Sequence, residues 1–272
     1  MIKSKVCQTD DFTSEWFRPW SSLITADPRC EGMLGSPSRY HRKLWEWCYI
    51  AAVLNERGLL RPGATGLGFA IGMEPLPSVF AKHGVQTTAT DLDPGLGEST
   101  TWAESNQHAA SLEEIYWPGI VARDVFDRNV RFGYADMRAT WKPDPVVDFI
   151  WSSCAFEHLG SLGAGLEFVM RSSRLLKPGG VAVHTTEYNV TSNTGTIDTG
   201  GAVIYRRCDI EELDRALRRE GKCLAAMDFD PGEKESDRLA DVPPYYANPK
   251  LHHVKLWLGG YVATSYGLVV VA

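Results

Sequence analysis

Gly66-Leu67-Gly68-Phe69-Ala70-Ile71-Gly72 is the stretch whose reading decides the fold. It begins as a short apolar run and ends as a glycine turn, and residues 75–83 after it have helical character behind Pro75. Residues 85–90 then read as a strand that ends in Asp91. Strand, glycine turn, helix and second strand make a βαβ unit, which needs a parallel sheet to close it. The alternation continues outward. Residues 130–135 form a strand ending in Asp136, and residues 146–152 a strongly apolar one ending at Ser152-Ser153. Leu162, Leu166, Val169 and Leu176 mark a helix closed by Lys177-Pro178-Gly179-Gly180, and residues 181–186 are a strand that ends in Glu187. Asp209 and Glu212 form a capping-box pattern that opens a helix to about Gly221. Residues 224–229 and 261–271 are the last strands, and residues 94–128 are mixed, with one or two helices. The polar stretch 230–250 reads as a loop insertion.

Residues 1–60 differ in kind: they hold Trp16, Trp20, Trp45 and Trp47. Ser36-Pro37 has the form of an N-cap with proline at the first helical position, and Tyr40, Leu44, Trp47, Ala51 and Leu54 recur at helical spacing up to Gly58. This predicts a helix over 37–57 and an N-terminal helical cap over residues 1–60 on a core of 61–272, within one domain. Apolar stripes of this kind usually face a core.

The 272 residues carry 28 basic and 34 acidic side chains, a net charge of −6. That balance excludes binding to nucleic acid or an anionic membrane by bulk charge. Six cysteines, none in a C-x-x-C pair, fit a reducing cytoplasm and give no zinc spacing. No apolar run is long enough for a membrane span.

In a doubly wound sheet, ligands bind at the carboxyl ends of the strands. The residues brought there are the glycine turn, Asp91, Asp136, Ser152, Ser153 and Glu187. Glycines let backbone approach a ligand closely, and an acid ending the next strand can accept both hydroxyls of a ribose. These features suit an adenosine-type ligand without choosing among nucleosides. The order of the glycine turn, Thr88-Ala89-Thr90-Asp91, Tyr134-Ala135-Asp136-Met137, residues 147–153 and Leu175-Leu176-Lys177-Pro178-Gly179-Gly180 resembles class I S-adenosylmethionine-dependent methyltransferases over residues 60–272. Trp45-Glu46-Trp47, Glu74-Pro75-Leu76-Pro77, residues 152–159 and His184-Thr185-Thr186-Glu187-Tyr188-Asn189 resemble a bacterial subgroup linked to sugar and cell-surface glycan modification.

The resemblance implies a Rossmann-like, seven-stranded, mostly parallel sheet with helices on both faces. It implies S-adenosylmethionine as cofactor, with Gly68, Ala70 and Gly72 at the three glycine positions, Asp91 on the ribose, Leu92 beside the adenine, Asp136 and Met137 at the adenine amino group, and Ser152 and Ser153 at the methionine moiety. Two positions depart from the pattern: the second glycine is Ala70, and the acid expected two residues before Gly68 is Gly66. Glu74 is the candidate replacement for that acid, and Arg42 the partner of the methionine carboxylate. The implied reaction is O-methylation of a small-molecule or carbohydrate acceptor. His158 is the candidate base and Glu187 the residue that positions the acceptor. Glu157 with His158 makes two candidate ligands for a divalent metal, too few to define a site. His184 lies on the other strand face from Glu187 and reads as a buried histidine.

Asp241-Val242-Pro243-Pro244-Tyr245-Tyr246 resembles the Asp-Pro-Pro-Tyr signature of amino-methylating nucleic-acid enzymes, but Val242 interrupts it and it follows the wrong strand. It reads as a loop whose Tyr245 and Tyr246, with His252 and His253, line the acceptor side. Two other functions fit the glycine turn: an NAD-dependent oxidoreductase, and a non-catalytic nucleotide-binding partner. The G-x-G-x-x-x-G spacing and the Lys-Pro-Gly-Gly turn count against the first.

Overall fold

The computed structural model describes residues 1–36, 38–95, 108–139 and 146–272. Its elements run β1 (Ser4–Val6), α1 (Arg18–Thr25), α2 (Arg29–Leu34), α3 (Arg42–Glu56), β2 (Thr65–Gly68), α4 (Leu76–Lys82) and β3 (Gln86–Asp91). There follow α5 (Arg123–Asn129), β4 (Val130–Tyr134), β5 (Val147–Ser153), α6 (Leu162–Ser173), β6 (Leu176–Asn189) and α7 (Arg207–Arg219). The chain ends with β7 (Cys223–Leu224), β8 (Met227–Asp228), α8 (Glu235–Arg238), β9 (Leu256–Leu258) and β10 (Tyr261–Val271).

The described strands form one ten-stranded sheet in the order β4-β3-β2-β5-β6-β10-β1-β8, with β7 and β9 also on β10. β4, β3, β2, β5 and β6 are parallel, and β10 is antiparallel to β6. The order reverses between β2 and β5, so the switch-point crevice opens beyond Gly68 and Ser153. The α/β expectation holds. The count of seven does not, because four short strands pair at the β10 end.

The cap over residues 1–60 is corrected. The segment is largely helical, but β1 lies inside the sheet between β10 and β8. Three residues of Ser-Lys-Val carry no alternation long enough to read. α3 is buried on all sides from Trp45 to Leu54 and packs on β10, β6 and β5. Trp45 stacks on Tyr49 at 4.7 Å, and the Trp45 indole N–H donates to Asp11 at 2.8 Å. α3 starts later than the sequence predicts, capped by His41, whose side chain accepts from the Lys43 N–H. Of the expected Ser36-Pro37 cap, Pro37 lies outside the described residues, as do residues 96–107 of the mixed segment.

α7 also begins earlier than expected. Arg206 is its N-cap, and Asp209 sits at the third helical position, accepting from the Arg206 N–H at 2.8 Å. The segment 224–229 divides into β7 and β8. No described helix is long and apolar enough to cross a membrane.

Candidate active site

The carboxyl ends of β2, β3, β5 and β6 open into a cavity of about 730 Å³. This is the size of a small-molecule site. Eleven of the thirteen expected site residues line it: Arg42, Ala70, Gly72, Glu74, Asp91, Leu92, Asp136, Met137, Ser153, His158 and Glu187. Gly68 and Ser152 do not. A Cβ at Gly68 would lie 2.2 Å from the Trp151 ring, so Gly68 is needed for strand packing. Ser152 points to the other face of the sheet, its Oγ 2.8 Å from Nδ1 of the fully buried His184. Burial lowers the His184 pKa to about 3.

The cavity floor is strained backbone. Ala70 after β2 has φ +46° and Cys154 after β5 has φ +47°. Both sit in the left-handed region at adjacent strand ends, a conformation that costs a non-glycine residue about 1–3 kcal/mol and concentrates at functional sites. Gly72 supplies the same sign of φ without that cost.

The absence of an acid at position 66 has a steric reason. A Cβ there would lie 2.4 Å from the Phe149 ring. The space belongs to Phe149 and Trp151, which pack edge-on against Phe80. Glu74 reaches the cavity instead, 4% exposed, and accepts from the Trp151 indole at 2.6 Å. Burial pushes its pKa up to about 8.

Asp91 is held in place by backbone: Oδ2 accepts from the Gly72 and Ala109 N–H groups at 3.0 and 3.1 Å, and Oδ1 from that of Leu92 at 2.8 Å. The acid therefore also fixes the glycine turn. Asp136 is tied to Arg138 through the backbone N–H at 2.8 Å and the guanidinium at 3.1 Å. Burial works against its ionisation, and the Arg138 contacts outweigh it and hold the pKa low.

At the other end of the cavity lies an ion network that the sequence did not reveal. Glu46, fully buried on α3, pairs with Lys43 at 2.8 Å and Arg42 at 3.7 Å. It also accepts from Ser153 at 3.1 Å, Cys154 at 3.0 Å and Ser265. Burial opposes its charge, but Lys43 and Arg42 prevail and its pKa is about 2. Arg42 also pairs with Glu187 on β6. Burial nevertheless pushes Glu187 up to about 7 against the pull of Arg42. Its Oε2 and the Oε1 of Glu157 are buried without a protein hydrogen-bond partner. The spacing Arg42-Lys43-x-x-Glu46 was the available signal, but it reads as an ordinary exposed helix pair.

His158 lines the cavity with its Nδ1 2.7 Å from the Gly201 carbonyl. Among the described residues, the set able to gather round a metal is Cys154, Glu157 and Glu187 rather than Glu157 with His158. Arg42 already pairs with Glu187 in that set, and the Cys154 thiol donates to Glu46. Tyr245, Tyr246 and His253 line the cavity, while His252 stacks on Tyr40 at 4.3 Å away from it.

No protein-family profile matches the sequence, and no curated protein sequence matches it. Solved structures similar to it include magnesium protoporphyrin IX methyltransferase from Synechocystis PCC 6803 with bound S-adenosylhomocysteine. That protein is 12% identical, with 96% of each chain covered and a TM-score of 0.49. A SAM-dependent methyltransferase from Aquifex aeolicus is 18% identical, over 90% of this chain and 98% of that one, with a TM-score of 0.45. The [4+2]-cyclase SpnF is 17% identical, over 82% and 76%, with a TM-score of 0.47. One fold hosts many reactions, so function has to be read from the site residues.

Proposed function

We propose that this chain is an S-adenosylmethionine-dependent methyltransferase acting on a hydroxyl of a small-molecule or carbohydrate acceptor. The observation that carries the reading is one cavity at the switch point that joins the turn Ala70–Gly72, Asp91 and Asp136 to a charged, aromatic far end. The residues suit the cofactor. Asp91 would be a fixed carboxylate for the ribose, Leu92 and Met137 apolar neighbours for the adenine, and Asp136 an acceptor for its amino group. Glu74 stands where an ammonium group needs an acid, and Arg42 and Lys43 suit a carboxylate.

The bound cofactor supplies an electrophilic methyl group on a sulfonium. The protein has to orient the acceptor, exclude water and remove a proton. Glu187, next to Arg42, is suited to receive an acceptor hydroxyl. A cavity histidine takes the proton, a role for which the sequence offers His158. Tyr245 offers a cavity-lining ring on which the C–H face of a sugar can pack. This supports a carbohydrate acceptor and the glycan-modifying reading.

The test is mass spectrometry of ligand carried through purification, then calorimetry with S-adenosylmethionine and turnover of labelled cofactor with methyl glycosides. Asp91→Asn keeps the shape but removes the charge. It is expected to weaken cofactor binding by about 1.5–3 kcal/mol, the scale of one hydrogen bond to a charged group. Unchanged affinity removes Asp91 from the ribose site, and bound nicotinamide in place of the sulfonium replaces the reading with an oxidoreductase.

A further inference from the structure

Asp241-Val242-Pro243-Pro244-Tyr245-Tyr246 has so far supplied only rings to the cavity wall. Its acid does more. Asp241 is 2% exposed, and its Oδ2 lies 2.8 Å from Nδ1 of His253. The Tyr246 N–H also donates to this oxygen, at 3.2 Å. The backbone of Asp241 is locked as well, its N–H on the Lys255 carbonyl and its carbonyl on the Trp257 N–H, both at 2.8 Å. His253 is held as firmly: its N–H donates to the Tyr40 carbonyl, and its carbonyl accepts from the Arg42 N–H, both at 2.9 Å. Its ring stacks on Tyr246 at 4.4 Å, with His41 at 4.7 Å and Tyr245 at 5.4 Å. His253 lines the cavity beside Arg42.

An imidazole whose Nδ1 faces a buried carboxylate carries its proton on Nδ1, which leaves the basic lone pair on Nε2. A carboxylate, an oriented imidazole and an adjoining cavity are the parts of a general base. We infer that His253 is the base that removes the acceptor proton and that Asp241 positions it, in place of the role the sequence offers to His158. The inference rests on the methyl-transfer reading. As His253 Nε2 takes the hydroxyl proton, the acceptor oxygen bonds to the methyl carbon. The carbon–sulfur bond breaks with its electron pair going to sulfur, leaving a neutral thioether.

Three observations support the assignment. Burial lowers the pKa of His253, Asp241 pulls it back up, and Arg42 lowers it, so the ring is neutral at pH 7. Arg39 and the rings of His41, Tyr245 and Tyr246 complete its surroundings. His41 does not compete for the role. Its Nδ1 accepts from Lys43 and its Nε2 meets Tyr246 Oη at 2.9 Å, so both ring nitrogens are engaged. His158 holds its Nδ1 2.7 Å from the neutral Gly201 carbonyl.

The test uses the full chain. Calorimetry with S-adenosylmethionine comes first, since failure of the wild type to bind overturns the methyl-transfer reading itself. Labelled cofactor is then turned over with a panel of methyl glycosides and catechols. His253→Gln is expected to keep cofactor binding and lose about 10²–10⁴-fold in kcat, the usual contribution of a positioned base. Asp241→Asn is expected to lower kcat and move the acid limb of the pH profile to lower pH, because the contact that raises the His253 pKa is gone. Full kcat in His253→Gln, or loss of turnover in His158→Ala alone, overturns the assignment while leaving the methyl-transfer reading in place. Nitrogen-15 spectra of the ring need no acceptor. They are expected to show neutral His253 with the proton on Nδ1 at pH 7, and a proton on Nε2 overturns the assignment.

Discussion

Glu74 is a buried acid that the surrounding residues keep neutral. Its neighbours are the Trp151 indole and the cavity, and burial holds its pKa at about 8, so it is protonated at pH 7. An ammonium group arriving beside it favours the carboxylate, so cofactor binding should expel a proton. Calorimetry at pH 7 in buffers of different ionisation enthalpy should show that release, and Glu74→Gln should bind more weakly without it. The same shift has a stability sign. A raised folded-state pKa contributes stability that is fully present below about 4.5 and lost as pH rises through about 8. Urea unfolding of Glu74→Gln should lack that decline, and an equal decline in both proteins assigns it to other groups. Position 74 was singled out in the sequence because Gly66 leaves an acid missing, and Glu74 does line the cavity. Glu46 was not legible, because an acid between two tryptophans of a helix gives no sign that it is fully buried under Lys43 and Arg42.

At the scale of elements, β5 was readable because it is an apolar run that ends in polar residues where the chain must turn. β1 was not readable, and its position changes what the N-terminal segment does. Ser4–Val6 sits between β10 and β8, with Ser4 Oγ accepting from the Val269 N–H at 3.0 Å and the Lys3 carbonyl accepting from Tyr49 Oη at 2.7 Å. Removing residues 1–8 exposes the edge of β10 and strips Val6 and Cys7, both fully buried, from the core. Exposed edges pair with other chains. The truncated protein should unfold at lower urea and aggregate, as light scattering and denaturation would show. A deletion that leaves the urea midpoint unchanged makes the segment a detachable cap after all. The pairing of Asp241 with His253 was illegible for a related reason: twelve residues apart, they meet through the bridge of Asp241 to Leu256 in β9, which no sequence pattern announces.

Across the whole molecule, the cavity is built from distant parts of the chain. Residues 32–34, 41–47 and 245–258 close one end, while the strand termini of β2, β3, β5 and β6 form the floor. The two closing segments are joined by the backbone bonds of Arg42 and Tyr40 with His253, and the buried Lys255 ties the second of them to the Cys7 carbonyl. A ligand in this cavity therefore touches segments that are far apart in sequence and stabilises the folded chain as a unit. At a free concentration one hundred times its dissociation constant, a ligand adds about 2.7 kcal/mol. In a chain of this size that corresponds to about 5–10 °C in Tm. S-adenosylmethionine and S-adenosylhomocysteine should both produce that rise in a thermal scan, because they share the adenosine and amino-acid moieties proposed above to meet Asp91, Glu74 and Arg42. NAD should not, since it brings no amino-acid moiety for Glu74 and Arg42. A rise with NAD and none with the other two would overturn the methyl-transfer reading and return the glycine turn to a dehydrogenase. Asp91→Asn should reduce the rise, and the full rise in that variant would place the ligand away from β3.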